Sequence, residues 1–167
     1  MNIEALYHKF KNLVFNLALQ YTNNVEDAEE ITQDVFLKIY NNFNEFEHKA
    51  EIKTWIYRIT INQSLDYIRS KKSKKGSFFI HFLGTKHNEN YSQISDFNHP
   101  GILFENKEAL MQLMKKINQL PENQKTVIIL LKIEDLTQKE VAEIMNLKEG
   151  AIESLFQRAK NNLKKIL

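Results

Sequence analysis

Three carboxylates in the N-terminal part of the chain are spaced to share one face of a helix. Asp27, Glu30 and Asp34 are separated by three and four residues, so a helix would present them within roughly 10 Å of one another along its axis. Such a face is typical either of a solvated helix surface or of a surface that docks onto a basic protein. Taken alone, the pattern favours the solvated surface.

A basic run follows further along the chain. RSKKSKK, residues 69–75, contains five bases and no acid, and local positive charge of this kind attracts phosphates. Upstream on the same segment, the side chains of Asn62, Gln63 and Tyr67 could hydrogen-bond to or stack on unpaired bases. The segment therefore suggests nucleic-acid binding, although a solvated helix end that opens a linker would look similar.

Residues that would support catalysis are sparse. The five histidines are scattered, and the sequence contains no cysteine and no phosphate-binding or nucleophile motif. The sequence therefore predicts that the protein is not an enzyme and needs no metal or other cofactor. The lack of cysteine fits a reducing compartment, and no apolar run approaches the roughly 18 residues of a membrane span. We accordingly expect a cytoplasmic protein without membrane insertion.

The elements that must position these residues are predicted to be helices. Only four Gly and two Pro occur in 167 residues, which disfavours turn-rich folds. Helical apolar spacing predicts a first helix that ends near Asn23 and a second that is capped by Asn24. The apolar face of the first helix is predicted to consist of Leu6, Phe10, Leu13, Val14, Leu17 and Tyr21, and the apolar stripe of the second of Ala28, Ile31, Val35, Ile39 and Phe43. The third helix is expected to bury Ile52, Trp55, Ile59 and Leu65. The sequence thus predicts a small bundle of three helices around Trp55.

Periodicity disappears after Ser73 and returns near residue 107. The apolar stretch FFIHFL, residues 78–83, should dock on its own domain or on a partner. In the second unit, Pro121 is predicted to occupy the first position of a helix, and TQKE, residues 137–140, forms a capping box. A break at Asn146 then separates this short helix from a last helix whose core face includes Ile152 and Ala159. The second unit is therefore predicted to end in a helix-turn-helix.

Three stretches in this order resemble bacterial sigma factors of the extracytoplasmic-function group: DAEEITQDVFLKIY, KTWIYRITINQSLDYIRSKK, and LPENQKTVIILLKIEDLTQKEVAEIMNLKEGAIESLFQRAKNNLKKIL. The resemblance covers nearly the whole chain outside the linker. It implies an all-α protein with sigma domain 2, a three- or four-helix bundle, at residues 1–75, a linker at 76–106 and sigma domain 4, a four-helix unit, at 107–167. The sequence leaves open whether the two domains touch.

The function implied by this resemblance is that of an alternative, signal-controlled sigma factor. Its partners would be core RNA polymerase, promoter DNA and an anti-sigma factor. The promoter would be bound as duplex at the minus-35 element and as a melted strand at the minus-10 element. The resemblance assigns core-polymerase binding to Asp27, Glu30, Gln33 and Asp34. It assigns minus-10 recognition to Lys53, Arg58, Asn62, Asp66, Arg69, Lys71 and Lys72, with the loop NEFEHKAE near a flipped base.

The minus-35 contacts are assigned to the helix-turn-helix. They comprise Thr137, Gln138, Lys148, Gly150, Glu153, Ser154, Gln157 and Arg158. This sequence departs from the family there, because it has Ala151, Glu153 and Leu155 where many relatives have Thr, Lys and Arg, and Lys148 where a serine often caps the helix. A helical wheel predicts that Leu155 packs on the core and that Glu153 flanks the reading face. Glu153 there could accept a hydrogen bond from a cytosine amino group.

Two other functions remain as alternatives. A stand-alone helix-turn-helix regulator would bind duplex DNA unaided and would give the three carboxylates no role. A helical adaptor protein would explain neither the basic run nor the helix-turn-helix. Only a sigma factor makes use of every feature.

Overall fold

The first helical body consists of three helices. The computed structural model of the protein describes the backbone at residues 3–43, 51–81 and 107–166, and the side chains at 3–43, 51–73 and 109–166. The helices are α1 (Ile3–Thr22), α2 (Val25–Asn42) and α3 (Ile52–His81). Asn23 adopts a positive φ of 52°, and the side chain of Asn24 accepts a hydrogen bond from the Asp27 N–H at 2.8 Å. The predicted end of α1 and the predicted cap of α2 are thereby confirmed.

The core of the first helical body lies where α1, α2 and α3 meet. Its fully buried side chains come from all three helices and include Leu6, Val14, Ala28, Ile31, Val35, Ile39 and Ile56. Helical spacing correctly predicted the contribution of α2, because this helix presents one apolar stripe to this core. The predicted stripe of α1 is divided, since its first half up to Val14 belongs to this core and Leu17 and Tyr21 belong to a second one.

The buried residues of α3 differ from the prediction. Ile56, Thr60 and Ser64 are fully buried, whereas the predicted Trp55 and its companions are only half-buried. The reason is that α3 is covered on two sides, since Ile56 belongs to the first core and Ile61 to a second one. A helix that is buried on two sides does not show the single apolar stripe on which the prediction depended.

The second helical body consists of α4 (Lys107–Ile117), α5 (Glu122–Ile128), α6 (Gln138–Met145) and α7 (Glu149–Ile166), and a π-helical turn, Ile129–Ile133, extends α5. Pro121 precedes α5 at the N-cap with an extended ψ of 146°. The predicted placement of Pro121 inside the helix is therefore wrong by one position, because its backbone has not yet entered the helical region.

The helix-turn-helix comprises α6 and α7. Thr137 and Glu140 form the predicted capping box, and Asn146 ends α6 in the left-handed conformation at φ 53°. Ile152 and Ala159 of α7 are fully buried. The motif was predictable because its signals are local in the sequence: a capping pair, a left-handed break and an apolar face.

The two helical bodies pack against each other through a shared second core. Leu17, Tyr21 and Ile61 of the first body belong to the same buried cluster as Met114 and Val127 of the second. The prediction of two helical bodies is confirmed, and the structure adds this contact between them. Helix α3 extends to His81, beyond the proposed domain limit at Lys75. The NEFEHKAE loop up to residue 50, the linker from residue 82 and the side chains of FFIHFL lie outside the described residues.

Candidate polymerase and nucleic-acid interfaces

The three carboxylates of α2 turn partly toward α3. Lys71 donates to both oxygens of Asp27 at 2.6 and 2.8 Å, and the Tyr67 hydroxyl lies 2.9 Å from Asp27 Oδ1 and 3.0 Å from Glu30 Oε2. Asp34 accepts from Gln63 Nε2 at 2.9 Å. Partial burial and the two neighbouring carboxylates raise the pKa of Tyr67. These carboxylates therefore hold α2 to α3 as well as contributing negative charge to the surface.

The outward face of α2 combines polar and apolar side chains. Glu30, Gln33, Leu37 and Tyr40 are exposed at spacings of three, four and three residues, so they share one face. Leu37 is 60% and Tyr40 65% exposed. Sequence reasoning missed these two residues, although they are apolar positions that fall outside the predicted stripe from Ala28 to Phe43. A large exposed apolar pair of this kind is typical of a protein-binding surface.

The residues of α3 that were assigned to minus-10 DNA lie on two different faces of the helix. Arg58, Asn62, Asp66 and Arg69 recur every three or four residues and lie on one face. Lys71 follows Arg58 by 13 residues, which places it about 220° further round the helix, where it pairs with α2. Of the remaining lysines, Lys72 lies on the Arg58 side and is exposed, whereas Lys53 approaches the Tyr57 ring at 5.9 Å.

The Arg58 face of α3 is turned toward the second helical body. Arg58 Nε donates to the backbone carbonyl of Ile144 at 3.2 Å, and Nη2 donates to that of Glu143. Arg69 Nε donates to Glu122 Oε1 at 3.0 Å, and its Nη2 forms an ion pair with the same carboxylate. The hydrogen bond with Arg69 lowers the pKa of Glu122. Two cations with a predicted DNA role thus bind acceptors of the protein itself.

Glu134 forms a second polar link between the helical bodies. It follows the π-helical turn and accepts from Gln20 Nε2 at 2.7 Å and from the Tyr57 hydroxyl at 2.8 Å. Burial and the negative charge of Glu134 raise the pKa of Tyr57. Because these partners lie on α1 and α3, one carboxylate connects two of the three helices of the first body to the second body.

A buried lysine and a buried tyrosine complete this contact. The Tyr21 hydroxyl forms a 2.7 Å hydrogen bond with Thr126 Oγ1, and burial raises the pKa of Tyr21. Lys125 is only 5% exposed, and its ammonium lies 4.9 Å from the centre of the Tyr21 ring. Burial, together with the positive charge of Lys72, lowers the pKa of Lys125 to about 8.

A cleft of about 350 Å³ remains between α3 and the second helical body. Sequence reasoning did not predict it, because its walls come from segments more than 50 residues apart. Its lining consists of Arg58, Ile61, Asn62, Leu65, Asn123, Thr126, Ile144, Met145 and Asn146.

The face of α7 that is predicted to read minus-35 DNA is open to solvent. Gly150, Glu153, Ser154, Gln157 and Arg158 are all exposed. The Ser154 hydroxyl donates to the Gly150 carbonyl at 2.9 Å, and Arg158 Nε donates to the Ser154 carbonyl at 3.3 Å.

Among the other residues of the helix-turn-helix, those predicted to contact DNA are exposed and Leu155, which was predicted to pack, is half-buried. Thr137, Gln138 and Lys148 are exposed, and the Lys148 carbonyl accepts from the backbone N–H of Ala151 at 2.9 Å. Leu155 is half-buried against the second core, which confirms that it packs. Most of the residues that were assigned to minus-35 DNA are therefore brought together on one accessible surface.

Neither metal binding nor membrane spanning gains support from the described residues. Within residues 3–43, 51–73 and 109–166, no group of three or more His, Asp or Glu side chains is arranged to hold a metal ion. Over the part of the chain that the structure describes, no helix has both the length and the apolarity that a bilayer crossing requires.

Two family models match the chain, one in each helical body. The model of sigma-70 region 2 matches residues 6–74, and that of sigma-70 region 4 matches residues 110–163. The region 2 match includes α2 and the cationic face of α3, and the region 4 match includes the helix-turn-helix.

Individual proteins are similar over almost the same span. The extracytoplasmic-function (ECF) RNA polymerase sigma factor SigW of Bacillus subtilis is 32% identical over 95% of this chain and 84% of its own length. SigM of the same organism is 28% identical over 98% and 94%. In fold, the chain is similar to the sigma factor RpoE of Bartonella quintana in its complex with the anti-sigma factor NepR. That likeness has a TM-score of 0.67 and 20% identity, and it covers 97% of this chain and 94% of the other.

Membership of this family accounts for a chain with two helical regions and no enzymatic motif, because sigma factors direct RNA polymerase rather than catalyse a reaction themselves. The chain belongs to the ECF group of sigma-70 family RNA polymerase sigma factors, which direct transcription initiation through regions 2 and 4.

Proposed function

We propose that three separate helical surfaces divide the work of this sigma factor, with α2 docking onto core polymerase, α3 reading the minus-10 strand and α7 reading the minus-35 duplex. The protein acts in the cytoplasm as an alternative, signal-controlled sigma factor. Its domains are residues 1–75 and 107–167, and residues 76–106 connect them. The observation that carries this proposal is the exposed apolar pair Leu37 and Tyr40 beside the acidic residues of α2.

The face of α2 fits a docking role better than the carboxylates alone suggest. Asp27 and Asp34 are partly occupied by Lys71 and Gln63, so they set the local charge and hold α2 in place. Glu30 and Gln33 remain exposed beside Leu37 and Tyr40. An exposed aromatic and an exposed aliphatic side chain with a polar rim form the usual energetic centre of a protein interface. A stand-alone DNA-binding regulator would have no use for such a surface.

The two nucleic-acid surfaces differ in their chemistry. On α3, guanidinium groups at Arg58 and Arg69 flank the amide of Asn62, which suits phosphate contacts around an unpaired base. On α7, the exposed side chains of Glu153, Ser154 and Gln157 can read base edges in the major groove. Glu153 also repels phosphates, so the helix gains discrimination at the cost of general affinity. Polymerase and the minus-10 contacts hold it near the promoter and supply the affinity by effective concentration.

An anti-sigma factor is the proposed source of signal control. The RpoE protein of similar fold was solved as a complex with the anti-sigma factor NepR. An inhibitor that occupies the surfaces of α2 or α3 would block polymerase or promoter binding. We infer that this chain has such a partner.

The decisive experiment combines binding and transcript mapping. Purified protein is added to core RNA polymerase, the dissociation constant is measured, and transcript starts are mapped on genomic DNA fragments. Leu37→Asp should weaken polymerase binding by at least about tenfold, or about 1.4 kcal/mol, because it places a charge in an apolar contact. Leu113→Asp, the same substitution at an exposed leucine of α4, is the matched control and should change binding less than twofold. Equal effects of the two variants would contradict the assignment of α2, and no new transcript starts would contradict the function.

A further inference from the structure

We propose that the cleft between α3 and the second helical body is a binding site for a purine mononucleotide. The cleft has a volume of about 350 Å³, which lies within the range of small-molecule sites and suits a ligand of this size. Its lining residues come from α3, from α5 and from the end of α6. The inference concerns a small ligand of the protein and does not depend on the promoter contacts proposed above.

The charge of the cleft favours an anionic ligand. Among the described residues that line it, Arg58 is the one charged side chain. Two of its N–H groups donate to the carbonyls of Ile144 and Glu143, which fixes the guanidinium in the wall of the cleft. A guanidinium has five N–H donors, so the Nη1 group and the second N–H of Nη2 remain for a phosphate. Hydrogen bonds between charged groups of this kind are roughly twice as strong as neutral ones.

Three asparagine side chains offer hydrogen bonds from three different elements. Asn62 lies on α3, Asn123 in the first turn of α5 and Asn146 at the C-cap of α6. Their side-chain amides make no hydrogen bond to another group in the part of the chain that the structure describes. Because an amide both donates and accepts, it can pair with the edge of a purine through two bonds. The amides therefore favour a ligand that carries donors and acceptors side by side.

The apolar part of the cleft suits a flat ring. Ile61 and Ile144 are buried, and Leu65 and Met145, which line the same cleft, are half-buried. Aliphatic side chains and a thioether form a surface on which an aromatic ring can pack, and contacts between sulfur and a ring are favourable. A sugar phosphate would leave this surface uncovered. The cation, the amides and the apolar wall thus match the phosphate, the edge and the face of one nucleotide.

A nucleotide in this cleft would contact both helical bodies at once. Arg58 and Asn62 belong to the first body, while Asn123 and Asn146 belong to the second. A ligand that binds the folded protein and not the unfolded chain raises the free energy of unfolding, and the increase grows with the logarithm of the ligand concentration above its Kd. Nucleotide binding is therefore expected to stabilise the folded chain.

The test measures binding of adenosine monophosphate (AMP) to the full-length chain by calorimetric titration. Adenosine and ribose phosphate, titrated at the same ionic strength, separate the contributions of the base and the phosphate. AMP should bind at least about tenfold more tightly than either fragment, because each fragment lacks one set of contacts. If ribose phosphate binds as tightly as AMP, the cleft is a simple anion site and the inference is wrong.

Variants of the two asparagines in the second body locate the site. Asn123→Ala removes an exposed amide that has no proposed promoter role and should weaken AMP binding about fivefold. Asn146→Gly should have a similar effect, because it removes the amide while glycine readily keeps the left-handed backbone at φ 53°. The matched control is Asn161→Ala, at an exposed position of α7 outside the cleft, which should change AMP affinity less than about twofold.

Arg58→Ala separates phosphate binding from a general loosening of the cleft. It should lower the affinity for AMP about tenfold and that for adenosine by less than about twofold, because only AMP carries the phosphate. If both ligands lose affinity equally, Arg58 does not bind the phosphate and the inference is contradicted. Circular dichroism verifies that each variant is folded, and urea unfolding with and without AMP measures the expected stabilisation.

A DNA strand presents the same bases and phosphates, so a single-stranded oligomer of about five deoxyadenylates is the competing ligand. Asn123→Ala should leave the affinity for this oligomer unchanged while it weakens AMP binding. An equal loss for AMP and the oligomer would assign the cleft to a DNA strand and overturn the inference. Two further results would also overturn it: no saturable AMP binding up to about 5 mM, and equal effects of Asn123→Ala and Asn161→Ala. None of these results bears on the proposed function, which transcript mapping tests separately.

Discussion

Helices α3 and α7 both carry a proposed nucleic-acid face, yet one face is covered and the other is open. On α3, Arg58 and Arg69 bind acceptors of the second helical body, whereas Glu153 and Gln157 of α7 are exposed. The difference follows from the number of sides on which each helix is buried. Helix α7 presents one face to a core, while α3 contributes Ile56 to one core and Ile61 to another.

This contrast indicates where the protein can be regulated. An exposed face is free to bind whenever DNA is near, and its selectivity must come from its own side chains. A covered face becomes available only after a contact within the protein is broken, so its activity depends on whatever breaks that contact. The two surfaces that we propose to read the promoter therefore differ in accessibility.

The largest expected effect is the loss of stability when a buried residue of α3 is shortened. Ile61→Ala removes a buried side chain of α3 from the second core and should lower the free energy of unfolding by about 2–4 kcal/mol. Glu153→Ala on the open face of α7 should change it by no more than about 0.5 kcal/mol. Urea unfolding followed by circular dichroism measures both values. Similar costs for the two variants would mean that α3 is not held more tightly than α7.

A smaller effect is expected for the polar link at Glu134. Tyr57→Phe removes the hydroxyl that donates to Glu134 and should destabilise the protein by about 1–2 kcal/mol, since a half-buried carboxylate loses one of its donors. Tyr40→Phe removes a hydroxyl from a tyrosine that is 65% exposed, so its unfolding free energy should match that of the wild type. Thermal and urea unfolding of the two variants measure these changes. If Tyr57→Phe is as stable as the wild type, the hydrogen bond to Glu134 does not stabilise the contact between the helical bodies.

Raising the pH should strengthen the covered contact. The pKa of Lys125 is about 8 in the folded protein and about 10.4 in an unfolded chain, so the unfolded state binds more protons between these values. Stability then rises with pH in that window, by about 1 kcal/mol between pH 7 and pH 9. Lys125→Met should lack this component of the pH dependence. The urea midpoints of the wild type and of Lys125→Met are measured at both pH values. If the two proteins gain the same stability between pH 7 and pH 9, Lys125 is not the source of the pH dependence.

The smallest effect is expected on the open face. Glu153→Lys replaces an anion with a cation where α7 would meet phosphates, so affinity for non-specific duplex DNA should rise about threefold at low salt, and the increase should fade as salt rises. Minus-35 preference in transcription should relax. Glu143→Lys, at an exposed position of α6, is the control for net charge. If both variants bind equally, Glu153 has no special position at the groove.

The open face was largely predictable from the sequence, while the covered one was not. The capping box at Thr137, the left-handed Asn146 and the packing of Leu155 are signalled by residues within a few positions of one another. The contact of Arg58 with Ile144 joins residues 86 apart, and no local pattern encodes such a pairing. Burial on two sides also removed the single stripe that would have identified Ile56 as the core residue of α3.

The face of α2 lies between these cases. Spacing correctly placed Asp27 and Asp34 near one another, but it did not predict that Lys71 and Gln63 would bind them. Leu37 and Tyr40 were visible as apolar residues outside the stripe, yet an apolar residue in a sequence suggests burial first. Their exposure becomes informative only once the packing of the helix is known.

The π-helical turn at residues 129–133 makes the length of the chain a determinant of the contact between the helical bodies. The Glu134 N–H donates to the Ile129 carbonyl at 3.0 Å, five residues back rather than four. One residue more is accommodated than a regular helix would hold. Deleting a single residue here would restore an ordinary helix and rotate Glu134 by about 100°, away from Tyr57 and Gln20. Among relatives, a one-residue gap at this position would therefore mark sigma factors whose two helical bodies are joined differently or not at all.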